Sequence, residues 1–312
     1  MKRKLQLAPV LASGVVLALG LAGCSSGSTA ADSAGSSSAA SDGISIVAST
    51  NVYGSIAEAV AGDAATITSI IDDPDKDPHE YQADGQNQLS LSKAQIVIEN
   101  GGGYDDFIDT MLSAADNPDA AVLNVAEISG YDQEPAEGEF NEHLWYDFPT
   151  VSKLVDQLVT ELSALDAGDA SVFEKNGESF KAKLSDLESS EAAISSAHAG
   201  AGVAITEPVP LYLLDAAGLK NLTPDEFSEA IEEDTDVPPT VLQDTLALFD
   251  DKSVKVLVYN EQTEGPQTEA VLDAAKKNDI PVVPVTETLP DGDDYIGWMT
   301  ANLDAVSAAL GN

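Results

Sequence analysis

Histidine is scarce in this chain, three among 312 residues, and cysteine occurs once, while 54 residues are acidic. His79 stands in Asp77-Pro78-His79-Glu80-Tyr81, directly after a proline that fixes its own φ and pushes Asp77 towards extended geometry, so the imidazole is presented from a stiff loop. The preceding alternating, β-branched run at 65–71 reads as a strand. His79 therefore lies just beyond a strand's carboxyl end, the edge at which open α/β sheets bind ligands. His143 sits in a second loop, Asn141-Glu142-His143-Leu144-Trp145-Tyr146-Asp147, where an aromatic pair can wall it off from water. A lone histidine is more often a hydrogen-bonded structural residue, but two loop histidines in so histidine-poor a chain suggest a metal site. Glu207 and Glu287 add oxygen donors, since both follow runs that read as strands and so fall on the same kind of edge as His79. A four-ligand site in a cleft is then geometrically reasonable. The third histidine, His198, ends a predicted helix before Ala199-Gly200 and reads as a surface residue favoured by the helix dipole.

The elements that must hold these residues form two sets. In residues 44–168, strands are expected at 44–50, 65–71, 96–98 and 121–125, with helices from Asn51 as N-cap to 61, over 89–94 and over 104–115. Strand-helix alternation of this kind predicts an α/β lobe built on a mostly parallel sheet flanked by helices. Gly101-Gly102-Gly103 is no phosphate loop, because no Lys-Ser or Lys-Thr follows it and Asp105-Asp106 would repel an anion. From Pro149 an apolar stripe of Val151, Leu154, Val155, Leu158, Val159 and Leu162 marks a helix. Residues 169–198 then read as one long rigid helix linking the lobes. Residues 199–312 repeat the first pattern, with strands at 202–206, 254–259 and 281–286 and helices at 211–217, 267–277 and 294–310.

The amino terminus is a different kind of sequence. Met1-Lys2-Arg3-Lys4, an apolar run, and Leu21-Ala22-Gly23-Cys24 make residues 1–23 a signal peptide of lipoprotein type, which implies cleavage before Cys24 and lipid on its sulfur. Residues 24–43, nearly all Ser, Ala and Gly, form a flexible tether. With no second cysteine there is no internal disulfide. A formal net charge of -40 excludes nucleic acid as a partner and weakly enriches cations around the protein.

Taken together, these segments resemble the substrate-binding lipoproteins of zinc and manganese ABC transporters. The likeness rests on Leu21-Ala22-Gly23-Cys24, Asp77-Pro78-His79-Glu80-Tyr81, Ile96-Val97-Ile98-Glu99-Asn100-Gly101, Asn141-Glu142-His143-Leu144-Trp145 and Thr206-Glu207-Pro208-Val209-Pro210. It implies two α/β lobes joined by a long helix, with one divalent metal, Zn(II) or Mn(II), bound as cargo in the cleft by His79, His143, Glu207 and Glu287. It also implies a monomer, anchored outside the cytoplasm by lipid on Cys24, that delivers the metal to a membrane permease, with little movement on binding. Zinc-type members carry a third histidine where Glu207 stands, and manganese-type members an aspartate where Glu287 stands. Asp291, Asp293 and Asp294 are nearby alternatives for that fourth ligand. Two imidazoles and two carboxylates balance a dication and suit Mn(II), Fe(II) or Zn(II). A metal-dependent hydrolase is the alternative from another class, and needs an open position for water; no His-Glu-x-x-His helix is present. A surface adhesin with a structural metal is the third reading, and predicts an exposed apolar patch.

Overall fold

The computed structural model describes residues 43–73, 81, 84–136 and 138–311. His79 and Cys24, with the signal peptide and tether, lie outside the described residues. The chain begins with β1 (Ile44–Thr50), α1 (Asn51–Ala61), β2 (Ala65–Ile71), α2 (Gly85–Leu91), β3 (Ile96–Glu99), α3 (Phe107–Ala115), β4 (Ala121–Asn124) and α4 (Val125–Ser129). All four strands are parallel, in the order β2-β1-β3-β4, with Ile46 between Ile67 and Ile96. Helices cover both faces of such a sheet, which is why β1 and β3 are apolar and buried almost throughout.

Two helices follow, α5 (Phe148–Leu165) and α6 (Ala170–His198). The second half comprises β5 (Gly202–Ile205), α7 (Leu211–Ala216), β6 (Lys220–Asn221), α8 (Asp225–Glu232), α9 (Pro239–Asp250), β7 (Leu257–Asn260), α10 (Pro266–Lys277), β8 (Val282–Val285) and α11 (Tyr295–Leu310). Its parallel order, β6-β5-β7-β8, repeats that of the first sheet. Each sheet therefore reverses direction between its first and third strands, and crevices open at the carboxyl ends of β1/β3 and β5/β7.

At 29 residues α6 is about 43 Å long, and it packs against α1 and α5 of the first half, α7 of the second, and α11. Gly177 lets α5 come close, because a Cβ there would meet Val159 Cγ2 at 2.7 Å. One apolar core runs from Ile46 in the first sheet through Phe173 and Phe180 on α6 to Ile205 in the second. Among the described residues, no helix is long and apolar enough to cross a membrane.

Several local expectations change. Thr50, not Asn51, takes the N-cap position of α1, and Asn51 instead reaches Leu289. The helix expected at 89–94 occupies Gly85–Leu91, started by Asp84, whose side chain accepts from Gln86 N and Asn87 N. The helix expected from 104 begins at Phe107, because Asp105 accepts the backbone N–H groups of Asn100 and Gly101 and holds the preceding residues in a loop. At the end of β4, Asn124 accepts from Glu127 N and so starts α4. In the second half the ladder of the expected 254–259 strand begins only at Leu257. Helices α8 and α9 were not expected. His198 is half-buried, with Nε2 shut off from water, because the chain doubles back over the end of α6 through a Gly200 N–H to Gly218 C=O bond.

Candidate metal centre

The turn before α5 presents His143. Asn141 Oδ1 accepts from His143 N at 3.1 Å and lies 2.7 Å from Nδ1, while Asn141 Nδ2 donates to Pro208 O at 3.2 Å. The amide is thus oriented from both ends, and Nδ1 carries the proton it donates. That leaves Nε2 as the nitrogen able to ligate a metal. His143 is fully buried, with the rings of Trp145 and Tyr104 centred 5.2 and 6.2 Å away. The aromatic pair expected to exclude water from this imidazole does so through Trp145, while Tyr146 turns to donate to Thr286 O at 2.8 Å.

The carboxylates come from the second sheet. Glu207 lies two residues beyond β5 and Glu287 two beyond β8, and both are buried. Between them Asn260, the last residue of β7, is pinned by its own N–H to Thr206 Oγ1 at 2.9 Å. Its Nδ2 donates to Glu287 Oε1 at 3.0 Å and to Glu207 Oε2. Gln262 Oε1 accepts from the backbone N–H of Glu287 at 2.5 Å, and Tyr104 OH donates from the loop between β3 and α3 to Glu287 Oε2 at 3.4 Å. Asp291, Asp293 and Asp294 are exposed, and Asp294 is occupied in capping α11.

A further carboxylate arrives from α8: Glu232 Oε1 lies 3.3 Å from His143 Nε2. Glu142, His143 and Glu232 each place a ligand atom within 4.8 Å of the other two. Glu142 and Glu232 face a cavity of about 1340 Å³ whose described lining also includes Glu139, Glu207, Glu229 and Glu264 but no lysine or arginine. The crowding shows in the titration. Burial, then the charges of Glu287 and Glu232, raise Glu207 to about 8. Burial disfavours a charged His143, but Glu232, through its charge and hydrogen bond, joined by Glu142 and Glu287, outweighs that and raises it to about 9. Several buried carboxyl groups crowd one imidazole, with no lysine or arginine in the described cavity lining, and a divalent cation would stabilise their charged form.

The structure thus brings Glu207 and Glu287 to one amide, while the ligand atoms within 4.8 Å of one another around His143 are those of Glu142 and Glu232, and His79 lies outside the described residues. Sequence reasoning passed over Glu232, Asn260 and Tyr104. Asn260 could have been found by the strand-end rule that found Glu207. Glu232 gave no such signal, being one of several acids in an unrecognised helix.

Comparison with known proteins agrees with this architecture. The family model of the periplasmic zinc-uptake complex component A, ZnuA, matches residues 46–309. The manganese-binding lipoprotein MntA of Halalkalibacterium halodurans is 25% identical over 174 residues, a match that covers 56% of this chain and about half, 55%, of that protein. The manganese ABC transporter substrate-binding lipoprotein PsaA of Streptococcus pneumoniae is 24% identical, covering 98% of this chain and 99% of the relative. Among solved structures, the periplasmic zinc-binding protein TroA of Treponema pallidum superposes with a TM-score of 0.71 at 18% identity, covering 86% of this chain and 99% of that one.

Proposed function

Since this chain belongs to the ZnuA family of periplasmic zinc-uptake components, we propose that it captures a divalent transition metal, Zn(II) or Mn(II), and delivers it to an ABC transporter permease. The observation that carries this reading is the convergence of Glu207 and Glu287 on one amide, Asn260 Nδ2, beside a cavity lined by Glu142, Glu207 and Glu232, with Glu232 Oε1 3.3 Å from Nε2 of the buried His143. His143, Glu207 and Glu287, with His79 from the loop after β2, are the proposed ligands. Each side contributes from strand ends or turns, so the ion bridges the two sheets. The continuous core around α6 and the cross-connections through Tyr104, Tyr146 and Asn141 favour small adjustments over a wide hinge motion.

We further propose that the protein is a monomer held outside the cytoplasm by lipid on Cys24. A Cys24→Ser variant should leave the membrane fraction. Carriage is preferred to hydrolysis because four protein ligands leave little room for an activated water. The test is metal analysis with calorimetric titration: one ion per chain in the wild type, and at least tenfold weaker binding in Glu207→Ala and in Glu287→Ala. Full binding by both variants would sink the assignment.

A further inference from the structure

We propose that Glu232 is an additional ligand to the bound cation, an oxygen donor from α8 that biases the centre towards Mn(II). This rests on the metal-site reading above and deepens it. Glu232 is the last residue of α8, whose Phe227, Ser228 and Ile231 are buried and fix which face points inward. A carboxylate at a helix carboxyl end lies against the negative pole of the helix dipole, so capping does not explain its position. Its side chain is only 12% exposed, and its Oε1 lies against His143.

The choice of nitrogen is decisive. A glutamate that merely oriented the ring would approach Nδ1, but Asn141 already holds that atom at 2.7 Å. Glu232 instead lies 3.3 Å from Nε2, the nitrogen left to bind metal. Two donors that far apart, each about 2.1 Å from a shared ion, subtend an angle of about 100°, between the octahedral and tetrahedral values. The pair therefore spans one edge of a coordination polyhedron without rearrangement.

With Glu232 the donor set becomes two imidazoles and three carboxylates. Zn(II) is satisfied by four ligands, whereas Mn(II) takes higher coordination and favours oxygen. The added oxygen should therefore matter more to manganese. The experiment is a pair of competition titrations, Mn(II) against Zn(II), on the full chain as wild type, Glu232→Gln and Glu229→Gln, with folding followed by circular dichroism. Glu229 lies one turn earlier on α8 and lines the same cavity, so its variant measures the loss of a nearby charge alone. Glu232→Gln should weaken Mn(II) by roughly 10-fold or more and Zn(II) by much less, with Glu229→Gln close to wild type. X-ray absorption on the manganese-loaded wild type should show at least five nitrogen or oxygen neighbours, a readout that needs no variant. Unchanged Mn(II) binding in Glu232→Gln, an equal loss in Glu229→Gln, or four-coordinate manganese would overturn the proposal while leaving the four-ligand site standing. A wild type that bound neither ion would overturn the site itself.

Discussion

Asn51 and Leu289, 238 residues apart, exchange a reciprocal pair of hydrogen bonds: Asn51 Nδ2 donates to Leu289 O at 2.8 Å, and Leu289 N donates to Asn51 Oδ1 at 2.9 Å. The first residue of α1 thereby clamps the backbone two residues beyond Glu287. Nearby, Tyr295 N donates to Ser55 Oγ at 3.1 Å, which extends the clamp along α1 to the start of α11. A proposed ligand of the second sheet is thus positioned partly by the first.

Replacing Asn51 by Ala should remove both bonds at a half-buried position and cost about 1–3 kcal/mol. Because the clamp also sets where Glu287 sits, metal affinity should fall as well. Urea unfolding and a metal titration on the same preparation test this. Reduced stability with unchanged affinity would show that the clamp holds the fold without placing the ligand.

Asn260→Asp makes a sharper test of how the carboxylates are spaced. The change keeps shape but replaces the shared donor with a carboxylate facing Glu207 and Glu287. Without added metal the variant should be less stable by about 2–4 kcal/mol, with part of the loss restored by saturating Mn(II). Wild-type stability in the absence of metal would mean that Asn260 does not keep the two glutamates apart.

The buried acid Glu191 on α6 gives a pH dependence independent of the metal. It is 5% exposed, and burial, followed by the charges of Glu188 on its own helix and Asp147 at the start of α5, raises it to about 8 from 4.5. Tyr295, at the start of α11, also lies within its electrostatic reach. Since the folded pKa is the higher one, the protonated form favours folding. The contribution is complete below about pH 4.5 and is lost as the pH rises through about 8. Glu191→Gln should therefore flatten stability across that window and gain on the order of 1 kcal/mol at its alkaline end. Melting temperatures measured between the two limits, with metal chelated throughout, decide it; parallel curves for variant and wild type would refute the shift.

What the sequence made legible follows from which signals are local. The central strands β1, β3, β5 and β7 are mostly apolar because parallel sheets are covered on both faces, so the two-lobe α/β architecture could be read from strand-helix alternation. His143 was visible because histidine is rare, and Glu207 and Glu287 because strand ends can be located. Glu232 was not, because α8 carries few apolar residues beyond Phe227 and Ile231 and its acids resemble solvated surface. The start of α3 was misplaced for a similar reason: Asp105 competes for Asn100 N–H and Gly101 N–H through contacts that no periodicity encodes. Pairings such as Asn51 with Leu289 join residues whose proximity exists only after both sheets have formed.

Glu207 is where a single substitution should shift the choice of metal. Its carboxylate supplies a hard, charged oxygen, which narrows the advantage that zinc holds over manganese at most nitrogen and oxygen sites. An imidazole at this position is softer and better matched to zinc. Glu207→His should therefore widen the zinc preference. The position should tolerate the change, because it follows β5 at a crevice edge and Pro208 keeps the preceding backbone extended whichever side chain is present. Burial, then the charges of Glu287 and Glu232, raise Glu207 to about 8, so in the metal-free protein at neutral pH the substitution replaces a largely protonated group. Competition titrations of zinc against manganese on both proteins, with folding checked by circular dichroism, provide the measurement. An unchanged ratio in a folded variant would mean that Glu207 does not touch the ion, and the proposed ligand set would have to be redrawn around His143, Glu232 and Glu287.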